Sequence, residues 1–160
     1  MNLYVIDAYG LSAVGDLVEP SLLKKALHEL TDLVKDGRLR FPDSVWRECC
    51  KYLDEHGLGL WAKSVAGHLS TDSSTWAHED EVLDQASDLV DPDATEYQTQ
   101  VDVAKIAVWL QSSGHAVEVV TEDVGDRPDR MSLTDACIQL GLATLSTTDF
   151  LDAVLSFEYS

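Results

Sequence analysis

Basic residues are scarce in this chain. Lys and Arg together number 11 of 160 residues, against 29 Asp plus Glu, for a formal net charge of −18. A polyanion-binding surface is expected to leave a basic footprint, so the balance speaks against tight, purely electrostatic binding of nucleic acid. Long apolar runs are also missing. No stretch reaches the roughly 18 residues of a membrane span, and Asp7 interrupts the apolar start at Leu3 too early for a secretory signal. Cysteine is limited to Cys49, Cys50 and Cys137, which excludes a disulfide framework and suits a reducing, cytoplasmic setting. The adjacent Cys49–Cys50 pair lacks metal-ligand spacing, and no Cys/His constellation suggests zinc. No internal repeat or linker is visible, so residues 1–160 are read as one domain.

What is present is a globular composition, 45% apolar and 25% charged, with the charge unevenly spread. Eight of the eleven basic residues fall between Lys24 and Lys63, and Ser64 to Ala104 contains neither Lys nor Arg. One half of the molecule can therefore face a phosphate backbone while the acidic stretch meets water or a basic partner.

Hydrophobic periodicity alternates between strand and helix. Leu3 to Ile6 is a short buried strand ending at Asp7. Pro20–Ser21 opens a helix with apolar positions at Leu22, Leu23, Ala26, Leu27, Leu30 and Leu33, closed by Asp36–Gly37. Arg38 to Phe41 forms a second strand, and Pro42–Asp43–Ser44 starts a helix through Val45, Trp46, Cys49 and Leu53. Leu60 to Leu69 and Glu79 to Val90 read as further helices. Between Val101 and Leu110 the chain is apolar around most of a helical circumference, the mark of a deeply packed helix. Val117 to Val120 is a buried strand, Glu122 to Arg130 a polar loop, Ser132 to Leu140 a helix, and Leu142 to Leu145 a last strand. Strands separated by helices predict an α/β fold: three layers, with a mostly parallel sheet flanked by helices.

In such a sheet, ligands bind beyond the carboxyl ends of the strands. Asp7 directly follows the first strand, and Asp123 lies just past the strand that ends at Thr121. Asp102 and Lys105 are the sole charges between Val101 and Leu110, and a buried carboxylate requires a hydrogen bond, an ion pair or a metal. Lys105 or a helix cap would satisfy Asp102 without any function. Glu48 lies among Val45, Trp46, Cys49 and Leu53, where a solvent-facing position is the plain alternative. Carboxylates that converge repel: at ~4 Å and an effective dielectric near 20, each pair costs about 4 kcal/mol. A hard divalent cation with oxygen ligands relieves this. It also activates water and offsets charge on a phosphoryl group, so clustered acids suit metal-assisted phosphodiester hydrolysis.

These segments together resemble the PIN-domain family. Tyr4-Val5-Ile6-Asp7-Ala8 is similar to the family's first strand and its aspartate. Pro42-Asp43-Ser44-Val45-Trp46-Arg47-Glu48 resembles the segment that presents its glutamate. Asp102 through Ala107, Gly114 and Val119-Val120-Thr121-Glu122-Asp123 resemble its third acid, its small-residue helix and its strand ending in Thr-x-Asp. The resemblance spans most of the chain, in order. It implies a Mg²⁺- or Mn²⁺-dependent endoribonuclease with Asp7, Glu48, Asp102 and Asp123 as metal ligands. Glu122 and Asp135 are secondary candidates, and Arg127 and Arg130 are loop residues able to meet substrate phosphates. It further implies the toxin of a toxin–antitoxin pair, with a basic antitoxin drawn to the acidic segment, and a homodimer.

Three departures from the family pattern stand out. Tyr9 and Gly10 occupy positions where Ser, Thr or Asn commonly follow the first aspartate. Glu122 and Asp123 are adjacent, the spacing from Thr121 favouring Asp123. A second Thr-x-Asp, Thr147-Thr148-Asp149, follows the last strand and reads as a helix start. Ser132-Leu133-Thr134-Asp135 likewise reads as a capping box. The alternative class is a non-catalytic PIN-like module that binds RNA or protein, which the altered segment after Asp7 and the net charge favour. A phosphatase of the acyl-phosphate class fits least, because Tyr9 interrupts its Asp-x-Asp.

Overall fold

The computed structural model describes residues 2–69, 76–90, 98–125 and 130–160. Strand β1 (Asn2–Ile6) leads through α1 (Ala8–Leu17) and α2 (Leu23–Lys35) to β2 (Leu39–Arg40). Helices α3 (Asp43–Tyr52), α4 (Leu58–Val65), α5 (Trp76–Gln85) and α6 (Thr99–Ser112) follow. The chain then enters β3 (Ala116–Val120), α7 (Leu133–Leu140), β4 (Ala143–Leu145) and α8 (Thr147–Val154). The four strands form one sheet in the order β2-β1-β3-β4, parallel throughout. Helices flank it, giving the three-layer α/β architecture that the alternation of strand and helix predicts. No helix among the described residues is long and apolar enough to cross a membrane.

The central strands are apolar on both faces because both faces are covered. Leu3, Tyr4, Val5 and Ile6 of β1 and Val117, Val119 and Val120 of β3 are all buried. The Tyr4 ring meets Phe150 of α8 edge-on, with centroids 5.0 Å apart. Nine of the fourteen residues of α6 are buried, so its wide apolar circumference does mark the most deeply packed helix. α2 instead shows one buried stripe, Ala26, Leu30 and Val34, at helical spacing.

Three elements differ from the sequence reading. The helix expected over Leu60–Leu69 runs Leu58–Val65 and tightens into a 3-10 turn at Ala66–His68; the one expected over Glu79–Val90 is likewise α5 followed by a 3-10 turn at Ser87–Leu89. More consequentially, α1 occupies a segment with no predicted element. Two glycines lower its intrinsic helix propensity, yet both are required by packing. A Cβ on Gly10 would lie 2.9 Å from the Val120 carbonyl oxygen, and one on Gly15 would lie 2.6 Å from the His56 ring.

Candidate metal centre

The strand order places a topological switch point between β1 and β3. The chain leaves β1 toward β2 on one side and returns to β3 on the other, which opens a crevice at the strands' carboxyl ends. Ile6 and Val120 are register partners at the ends of these strands. Asp7 and Asp123, one and three residues further on, therefore enter the crevice from adjacent strands, and both are fully buried.

Asp7 is the N-cap of α1, its Oδ1 accepting from the Gly10 amide at 2.7 Å. Its Oδ2 accepts from the Thr121 hydroxyl and, at 2.9 Å, from Gln100 Nε2. The Thr121 hydroxyl also accepts from the Asp123 amide at 2.9 Å, so the Thr-x-Asp segment locks to Asp7 through one oxygen. The departure at Tyr9–Gly10 thus has a structural counterpart: a backbone N–H orients the first aspartate, and the lack of a Cβ at Gly10 lets β3 close over it. Burial, opposed by these hydrogen bonds and reinforced by the Asp123 charge, raises the Asp7 pKa from 3.8 to about 6.

Asp123 Oδ2 accepts from three donors: Gln100 Nε2 at 2.7 Å, Arg130 Nη1 at 2.7 Å and the Leu133 amide at 2.9 Å. The last sits at the start of α7, where a carboxylate satisfies orphan N–H groups and the helix dipole favours its charge. Arg130 is itself only 10% exposed and also donates to the Met131 carbonyl. It is the cationic partner of Asp123, a role that the sequence reading left to substrate phosphates; Arg127 lies outside the described residues.

The other two predicted acids sit on the neighbouring helices. Asp102 is half-buried and accepts from Ser44 Oγ of α3 at 2.8 Å. Glu48, half-buried one turn beyond Ser44 on α3, makes none of the hydrogen bonds that tie Asp7 to Asp123. From Asp102 a cavity of about 490 Å³ runs along α6 past Ile106 to Trp109, with Arg40, Phe41 and Ser44 on its opposite wall. Of the secondary candidates, Glu122 is exposed and its Oε1 caps α8 by accepting from the Thr147 amide at 3.0 Å. The Asp135 amide donates to Ser132 Oγ at 3.1 Å, which is the capping-box bond from the serine side. Asp149 stands in the same relation to Ser146.

Gln100 is the residue that sequence reasoning passed over. It is 6% exposed, lies in the first turn of α6, and its one amide nitrogen touches both carboxylates. The two carboxylate oxygens can be no further apart than those two hydrogen bonds laid end to end. Its Oε1 is buried with no hydrogen-bond partner among the described residues. A neutral polar side chain heading an otherwise apolar helix was the available signal.

The acids here supply oxygens, two buried carboxylates with Asp102 and Glu48 on the adjoining helices, while Gln100 turns its amide nitrogen to the pair and keeps an unpartnered carbonyl oxygen in reserve. Such a set fits a hard divalent cation better than a soft one. Among the described residues, one trio brings its ligand atoms within 4.8 Å of one another, the exposed Asp16, Glu55 and His56. Asp16 lies about 13 Å along α1 from Asp7, so this trio is separate from the crevice. No family model, curated protein or solved structure matches the chain.

Proposed function

We propose that the chain is a PIN-like, Mg²⁺- or Mn²⁺-dependent endoribonuclease whose centre is the Asp7–Asp123 pair. The observation that carries this reading is the meeting of two fully buried carboxylates at the switch point of a parallel sheet, bridged by a single amide nitrogen. Asp7 and Asp123 would hold the ion, with Asp102 and Glu48 as the outer acids. A bound divalent ion there would supply an activated water and offset charge on the phosphodiester.

The protein's own residues supply the rest. Gly10 and Thr121 fix the Asp7 carboxylate, while Arg130 and the start of α7 fix that of Asp123. Preorganised ligands of this kind are what a reactive centre needs from its scaffold. The cavity from Asp102 to Trp109 has the size of a small-ligand site. Trp109 there offers an aromatic face to a base, and Arg40 a cation to a phosphate. The toxin role, with a basic antitoxin recruited by the acidic segment, is the biological setting that this reading suggests.

The test is cleavage of a mixed single-stranded RNA pool in Mn²⁺ or Mg²⁺ by wild type and by Asp7→Asn. Metal-dependent cutting that the substitution abolishes supports the nuclease; no cutting by folded, partner-free protein removes it. Two observations favour a second reading, a non-catalytic PIN-like binding module. Arg130 and Gln100 already compensate the buried carboxylates, and the net charge is −18. In that case RNA or protein binding survives both Asp7→Asn and Asp102→Asn.

A further inference from the structure

The geometry points to Gln100 as a two-state ligand. Its amide nitrogen bridges Asp7 and Asp123 when no metal is bound, and its amide oxygen joins the coordination of a divalent cation once the amide has turned over. This rests on the metal-dependent reading above and adds to it a ligand that is not an acid.

An amide in this position can present either of two unlike ends. Nε2 carries two N–H donors, and it lies 2.9 Å from Asp7 Oδ2 and 2.7 Å from Asp123 Oδ2. It thus places a partial positive charge between two anions, as a cation would. The opposite orientation would aim Oε1 at two carboxylates, which is repulsive without an ion, so the electrostatics of the carboxylate pair alone select the nitrogen. That choice leaves Oε1 buried and unpartnered, an arrangement native proteins seldom tolerate without a reason.

A cation between the carboxylates reverses the preference. N–H groups cannot point at it, whereas an amide carbonyl is a hard oxygen ligand of the kind such ions take. Gln100 is 6% exposed and sits on the most buried helix, so the side chain cannot simply swing out to solvent. Rotation about its terminal torsion, which is broad and roughly two-fold, exchanges nitrogen for oxygen at nearly the same place. A neutral ligand also has a consequence for substrate. With two carboxylates and Arg130 around it, a divalent ion leaves the buried shell net positive, a better receptor for a phosphodiester than a shell closed by a third buried acid.

The experiment measures Mn²⁺ binding to the full-length chain by titration calorimetry and by the Mn²⁺ EPR signal. Wild type, Asp7→Asn, Gln100→Met and Gln100→Glu are compared. The expected result is that Gln100→Met weakens Mn²⁺ binding by at least about tenfold, the lower end of what even outer-shell partners contribute. Gln100→Glu keeps an oxygen and binds as tightly as wild type or more so. Binding by Gln100→Met equal to or tighter than wild type overturns the proposal alone, because the nitrogen would then be a competitor that the ion displaces. Wild type that binds Mn²⁺ no better than Asp7→Asn overturns the metal reading and this inference with it. A measurement without any substitution stands beside these, in case Gln100→Met fails to fold. The side-chain amide resonances of Gln100 in wild type should move on saturation with Mg²⁺. Unmoved Gln100 resonances, with backbone signals near Asp7 and Asp123 shifting, also overturn the inference.

Discussion

Replacing Asp7 by asparagine changes the pH dependence of stability in a way that can be worked out from the crevice. In the folded chain Asp7 keeps its proton up to about pH 6, against 3.8 as its ordinary value, chiefly because burial penalises the charge. Between those two values the folded state binds more protons than the unfolded one, so stability falls as pH rises. The contribution is fully present below 3.8 and is lost as pH climbs through 6. At 1.36 kcal/mol per unit, the loss by pH 7 is about 3 kcal/mol. The asparagine of the variant does not titrate. The substitution also disturbs hydrogen bonds to Gly10, Thr121 and Gln100, but that offset is nearly constant with pH. Subtracting the wild-type profile from the variant profile therefore isolates the titration of Asp7, and the contributions of the many other acids largely cancel. Urea unfolding in EDTA, read at pH values above the pI of 4.3, is the assay. Between about pH 5 and pH 7 the variant should gain about 1.3 kcal/mol on the wild type, with unchanged m-values. Profiles that run parallel across this range would refute the claim that Asp7 is buried and strained electrostatically.

Three further outcomes are expected. Arg130→Met removes a cationic partner from the buried Asp123 and should cost about 3–5 kcal/mol in urea unfolding, with Asp123→Asn added in the same chain recovering part of the loss. Gly59→Ala would set a Cβ 2.6 Å from the Cys50 backbone nitrogen, where α4 crosses α3; overpacking there should destabilise by about 1–3 kcal/mol and lower the Tm. Cys49 and Cys137 are buried, with their thiol pKa values pushed up to about 12 by that burial, while Cys50 is half-buried. Burial and the Asp54 charge raise the Cys50 thiol as well, but its partial exposure should let a thiol reagent modify it first in the native protein, and the other two only on unfolding.

The strands and most helices could be read from hydrophobic periodicity because burial dictates it: β1 and β3 are apolar on both faces and α6 nearly all round. α1 escaped because its glycines answer to neighbours distant in sequence, Val120 and His56, that no local pattern discloses. At the site, Asp7 and Asp123 were legible from their places after strands. Asp102 is half-buried where deep burial was expected, and one partner it finds is Ser44, across the helix interface, which no local pattern disclosed. Gln100 carried only a weak signal, for a different reason. A buried charge demands compensation and so betrays itself in a sequence, whereas a neutral amide raises no such demand until its two neighbours are known.

The thread from Thr121 to Asp7 ties residues 114 positions apart, and Leu133 contributes to the same knot. The pairing of Asp7 with Asp123 thus waits on residues far along the chain. Closing a loop this long costs chain entropy, and a polypeptide that stops short of Thr121 has neither Asp123 nor the hydroxyl that fixes Asp7.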